Sequence, residues 1–169
     1  MGLGVFVPGV YAGTYNGTTL GLTTSEGWRL KWRDSVKKIN DTNAYGDTLI
    51  DGIYRGKQGV QLLVTVKEWN SIVKAAIWPW SVPGTPVFDG KLGQIGQLMS
   101  DVAKAIVLTP EALSPAAVAG SNTFTASKAI LSADNDIELL LGPDERDVPI
   151  LFDLLLYDDG GVKRFFTIS

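Results

Sequence analysis

The side chains able to do chemistry in this chain are acids, indoles and a short row of cations. In "DNDIE", Asp134, Asp136 and Glu138 alternate as the first oxygen ligands of a calcium loop do. Leu139, however, stands where such a loop needs glycine for its sharp turn, and a strand-connecting turn accounts for the same residues. Asp144, Glu145 and Asp147 form a second acidic knot, interrupted by Arg146, which a solvated or cross-subunit salt-bridging turn explains equally well. Trp78 and Trp80 could stack a sugar ring as in a glycan-binding module, whereas the periodicities around Trp28, Trp32 and Trp69 place those three in the core. The row Arg29, Lys31 and Arg33 could touch nucleic acid, but three charges neutralise few phosphates and the acidic remainder opposes binding. A solvated or subunit-facing row is the better reading.

Other chemistries are missing at the level of residue type. The chain has no His, so the commonest general base and metal ligand are absent, and no Cys, which removes disulfides, thiolate nucleophiles and zinc-thiolate sites together. "GLGVFVPG" lacks both the GxGxxG spacing and a following helix, and no GxxxxGK[ST] exists, so phosphate cradling has no support. A hydrolase would have to rest on Asp and Glu pairs, none of which the sequence sets at a working separation. The expectation is a protein that is not an enzyme and holds no cofactor or metal.

The 169 residues suit a single domain with a core large enough to fold unaided. Hydrophobic residues at 45% and charged residues at 20% match ordinary globular usage, which argues against disorder and against a coiled coil. The opening "MGLGVFVPGVYAG" lacks a basic n-region and meets Pro8 and Gly9 too early for a signal segment, and no stretch approaches the length of a membrane span. A soluble, unprocessed protein is expected. Net charge is −3, unevenly spread: residues 1–100 carry +3 and residues 101–169 carry −6, so copies could attract one another if the two regions lie on different faces.

The elements that would position these residues are mostly strands. In "GWRLKWRD", Trp28, Leu30 and Trp32 alternate with the three cations, giving one apolar and one basic face. Val60, Leu62, Val64 and Val66 make a second apolar row, and the preceding "LIDGIYR" is expected to pair with it through a short hairpin at Arg55, Gly56 and Lys57. Near the end, a strand, an Asp158-Asp159-Gly160-Gly161 turn and a closing strand follow. Val148, Ile150, Phe152, Leu154 and Leu156 fill one face of its first strand, while Leu151, Leu155 and Tyr157 make the other largely apolar. A strand apolar on both faces asks for cover on both, from a helix or from another subunit.

Further strands read from "VYAGTYNG", "AKAIVLT", "NTFTASKAILS" and "DIELLLG". "KEWNSIVKAAIW" predicts an amphipathic helix ended by Pro79, and "KLGQIGQLMSD" has the spacing of a short helix weakened by two glycines. The resulting fold class is mainly β: an antiparallel β-sandwich or partly closed barrel with one flanking α-helix. A single domain spanning 1–169 is expected, with an N-terminal arm at about 1–9 and long loops at 33–47 and 79–91 as contact elements.

Taken in order, "VYAGTYNGTTLGLTTSEGWRL", "GDTLIDGIYRGKQGVQLLVTVKEW", "KAIVLTPEAL", "TFTASKAIL" and "ERDVPILFDLLLYDDGGVKRFF" resemble the major tail tube proteins of long-tailed bacteriophages and related contractile particles. The likeness covers most of the chain and lies in strand order and turn placement rather than in one motif. It implies a virion structural protein, assembled in the host cytoplasm, whose hexameric rings stack into a hollow tail tube. The implied partners are further copies of itself, a tape measure protein, a tail terminator, distal tail or baseplate proteins, and DNA in passage without stable binding. Another ring-forming tail component, such as a terminator, completion or distal tail protein, is the neighbouring reading, and a glycan-binding β-sandwich module is the alternative of a different class.

Under this reading Lys37, Lys38, Tyr45, Trp80, Leu151, Leu155 and Tyr157 are expected at subunit interfaces, the +3 and −6 regions meeting between rings. A lumen that lets DNA slide must not be rich in Lys and Arg, because each neutralised phosphate adds affinity. Asp134, Asp136, Glu138 and Asp153 are therefore expected to face the lumen, with Arg29, Lys31 and Arg33 balanced by acids or facing elsewhere.

Overall fold

The computed structural model describes residues 10–21, 23–41, 48–67, 96–111, 122–133 and 147–169. Ten strands and one helical turn lie among them: β1 (Tyr11–Tyr15), β2 (Thr18–Thr19), β3 (Thr23–Asp41), β4 (Thr48–Val66), α1 (Met99–Val102), β5 (Lys104–Pro110), β6 (Phe124–Leu131), β7 (Val148–Leu154), β8 (Tyr157–Asp159), β9 (Val162–Arg164) and β10 (Thr167–Ile168). All pairings are antiparallel, and eight strands form one sheet in the order β2-β1-β5-β6-β7-β4-β3, with β10 added to β6. This is the mainly β, sandwich-like architecture that the alternating sequence predicts, and the sheet is not closed into a barrel. No described helix is long and apolar enough to cross a membrane.

Local chemistry explains the tight turns. Asn16 and Gly17 both have positive φ, 51° and 77°, which is what a two-residue hairpin between Tyr15 and Thr18 demands. At the C-terminal end, the Asp158 carboxylate accepts from the backbone N–H of Gly161 at 2.7 Å and closes the predicted turn between β8 and β9.

The core lies on the concave face of the curled sheet. Val60, Leu62, Val64 and Val66 of β4 sit opposite Leu154, Phe152, Ile150 and Val148 of β7, and all eight are buried. Each such side chain contributes about 1.5–3 kcal/mol by leaving water. Tyr15 stacks on Phe152 with ring centroids 5.2 Å apart, and its hydroxyl donates to the Ala129 carbonyl at 3.0 Å. Burial pushes its pKa up to about 12.

Several sequence-based expectations are corrected here. No hairpin occurs at Arg55, Gly56 and Lys57: β4 runs through them as one strand of 19 residues. Gly56 has φ 95° beside a register shift, so it serves a bulge and not a turn. Residues 33–41, read as the first part of a loop, continue β3, also 19 residues long, and residues 42–47 lie outside the described residues. β7 is buried on one face and only half-buried on the other, and Leu156, assigned to its buried face, is 49% exposed because the strand ends at Leu154. Apart from Lys67, the helix expected at 67–78 falls outside the described residues, as do the strand at "DIELLLG", the loop 79–91 and the N-terminal arm, while the end of "KLGQIGQLMSD" forms α1.

Candidate assembly surface

The most unusual feature is what β3 and β4 do after leaving the sheet. β4 pairs with β7 only from Val60 onward, so among the described residues 34–41 and 48–57 pair only with each other. At about 3.4 Å per residue this ribbon projects by roughly 25 Å. A two-stranded hairpin is marginal in water without further cover. This one nevertheless carries large apolar side chains in the open: Val36 is 49% exposed, Ile53 55%, Tyr54 60%, and Ile39 and Leu49 are exposed as well.

Its two faces differ. Trp28, Leu30 and Trp32 pair with Val64, Leu62 and Val60 on the core face, and past the bulges Val36 pairs with Tyr54 and Lys38 with Gly52. The Val36 side chain lies over Gly52, leaving a Cβ there only 2.8 Å from Val36 Cγ1. The opposite face presents Lys37 beside Ile53 and Ile39 beside Asp51. At the root, Asp34 accepts from Lys57 Nζ at 3.1 Å and from the Tyr54 hydroxyl at 3.0 Å, and both donors hold its carboxyl below the usual range. The Asp34 carboxylate in turn raises the Lys57 ammonium. Lys57 also stands 5.5 Å from the centroid of the Trp32 ring.

Trp32 itself departs from the periodicity reading. It continues the core row of β3 opposite the buried Val60, but it lies on the last strand of the sheet at the end of the three-strand register, and the residue is 54% exposed. It borders an open groove of about 600 Å³ at the ribbon root, lined also by Lys31, Arg33, Asp153, Met99, Leu156 and Phe165.

The expected interface residues separate as follows. Lys37 and Lys38 are exposed on the ribbon, Leu155 lines the groove, Leu151 is half-buried beside Leu63 on the outer sheet face, and Tyr157 belongs to β8. Tyr45 and Trp80 lie outside the described residues, as do Asp134, Asp136 and Glu138. Asp153 is half-buried and accepts from Gln61 Nε2 at 2.9 Å. Lys31 pairs with Gln61 and Gln61 with Asp153, so all three point to the same face of the sheet. Arg29 is balanced by Glu26 at 2.9 Å, while Lys31 and Arg33 form no ion pair among the described residues.

Val36 and Ile39 fell within the 33–47 contact element but were read as loop, and Ile53 and Tyr54 were not singled out because a turn was read where one ribbon runs. Their alternation with Lys37, Lys38 and Asp51 was the available signal. The two long strands hold seven Lys/Arg against four acids, net +3, and the rest of the chain holds eight against fourteen, net −6. Among the described residues no group of three or more acids could hold a metal ion.

Neither a protein-family model nor a curated protein sequence matches the chain. A solved structure does: the anti-feeding prophage cap, the AFP tube terminating cap determined by cryo-EM, with a TM-score of 0.53 at 11% identity, covering 100% of this chain and 94% of that chain. At that identity the likeness is one of fold, and it extends from end to end.

Proposed function

We propose that this chain is a ring-forming protein of a phage-type tail or related particle, seated as a terminating cap on the tail tube. The observation that carries the reading is the end-to-end fold likeness to a tube terminating cap. The projecting ribbon supports it physically. Apolar side chains exposed on the ribbon need a neighbour, and the two long strands, net +3 over their full length although only +1 in the projecting part, stand against −6 for the rest of the chain, which favours contact between different surfaces of two copies. Head-to-tail contacts of that kind close into rings when the rotation allows. The ring is proposed to contain six copies and to belong to the virion tail, with the tube protein as its partner and DNA passing without stable binding. The reading assigns the chain no reaction.

The tail tube subunit itself is the second reading, favoured by the strand order and turns of the sequence. The two differ in one property: a tube subunit stacks on copies of itself through both ring faces, whereas a cap presents only one such face. Negative-stain electron microscopy of the purified protein over a concentration series, alone and with tubes of the same particle, separates them. Rings that do not stack but decorate tube ends support the cap. Long tubes from this protein alone overturn it in favour of the tube subunit, and a persistent monomer that ignores tube ends overturns both.

A further inference from the structure

The two ends of the sheet are finished differently. At the β1 end, β2 pairs with Thr14 and Tyr15, the Gly13 carbonyl accepts from Leu20 N–H at 2.9 Å, and the Tyr11 carbonyl accepts from Trp28 Nε1. At the other end, β3 is the last strand and no described strand pairs with its outer side. Over residues 28–33 it pairs with β4 without a register shift, from Trp28 opposite Val64 to Arg33 opposite Gly59. Alternate backbone N–H and C=O groups of such an edge point outward and are ready to accept another strand.

The side chains along this edge specify what fits it. On one face Arg29, Lys31 and Arg33 are exposed, and only Arg29 has an acid within reach among the described residues. Asp153, the carboxylate in the same ladder, is engaged by Gln61. On the other face Trp28 and Leu30 are half-buried against the core and Trp32 is open, with Met99, Leu156 and Phe165 continuing the apolar surface into the groove. Like charges opposite one another destabilise strand pairs, so two β3 edges repel.

We infer that the edge of β3 at 28–33 is a strand-addition site for an extended segment of a partner protein in which acidic and apolar residues alternate. Its acids lie beside Lys31 and Arg33, and its apolar side chains beside Leu30 and Trp32, Trp28 being already seated on Gly13. The backbone ladder supplies affinity, and the alternating side chains supply register and selectivity. The site stands on the edge alone and survives failure of the cap reading.

The probe is a synthetic capped peptide in which glutamate and valine alternate, compared with one in which lysine and valine alternate, both offered to the full chain. The Glu/Val peptide is expected to bind saturably, to slow amide hydrogen exchange at 28–33 and to weaken with added salt. The exposed double variant K31E/R33E, checked for folding by urea melting, should lose roughly tenfold in affinity for it and gain affinity for the Lys/Val peptide. Equal binding of both peptides, no saturable binding of the Glu/Val peptide, or protection confined to other strands overturns the inference. Protection of these amides by self-association without peptide also overturns it, in favour of a second copy.

Discussion

The indole of Trp28 rests directly on Gly13, and its Nε1 donates to the carbonyl of Tyr11 at 3.3 Å. Trp28 belongs to the last strand of the sheet and Gly13 to the strand before its other end, so this single contact joins the two margins of an eight-stranded sheet. The sheet curls until its margins meet side chain to backbone, and that curl encloses the core.

A Cβ on Gly13 would overlap the Trp28 ring. Gly13→Ala is therefore expected to lose about 1–3 kcal/mol in urea unfolding, the scale of overpacking, although alanine is otherwise the better strand residue. In a Trp28→Leu background the added cost should fall below about 0.5 kcal/mol, since the colliding ring is gone. An undiminished cost in that background would show that the clash lies elsewhere.

Stability should fall as pH rises from about 10 to about 12. Tyr15 keeps its proton up to about 12 when folded and loses it near 10 when unfolded, so within that window only the unfolded chain releases it. The contribution is complete below pH 10 and lost as pH passes through the folded value. Tyr15→Phe should flatten this slope in thermal melts and cost about 1 kcal/mol at neutral pH through the lost bond to Ala129.

Trp28 and Trp32 occupy successive apolar positions of one strand and should respond differently. Trp28→Ala is expected to cost about 3 kcal/mol or more, because the ring packs against the core, whereas Trp32→Ala should cost under about 1 kcal/mol. Comparing urea midpoints of the two variants checks this, and equal losses would place Trp32 in the core after all.

Polar replacement on the ribbon should separate folding from assembly. Val36→Ser and Ile53→Ser sit on opposite ribbon faces, both exposed, and should change monomer stability by no more than about 0.5 kcal/mol. Ring formation seen by sedimentation velocity should drop sharply. Rings that form as readily as before would remove the ribbon from the interface.

Much of this molecule is legible in its residue order. Alternation around Trp28 and Val60 marks strands with one apolar face, the apolar run from Val148 marks a third strand, Asn16-Gly17 and Asp158 to Gly161 mark turns, and the lack of His and Cys narrows the chemistry before any fold is known. Each of these is local: a period of two, a backbone that needs positive φ, a missing functional group. Whether a strand stops or continues is not local. Gly56 looks like a turn residue, yet β3 offers β4 a partner through Asp41, and pairing along that length turns a would-be hairpin into a bulge. Trp32 keeps the apolar period and pairs with the buried Val60, but it lies on the outermost strand at the last register that β7 still shares, and it stays exposed. The sharing of one face by Lys31, Gln61 and Asp153 likewise depends on the register of three strands far apart in sequence. Sequence by itself determined the strands and their apolar faces, because those follow from side chains and φ preferences of neighbouring residues. Only the tertiary structure decided which ribbon projects and which edge stays open, because those depend on where long-range pairing runs out.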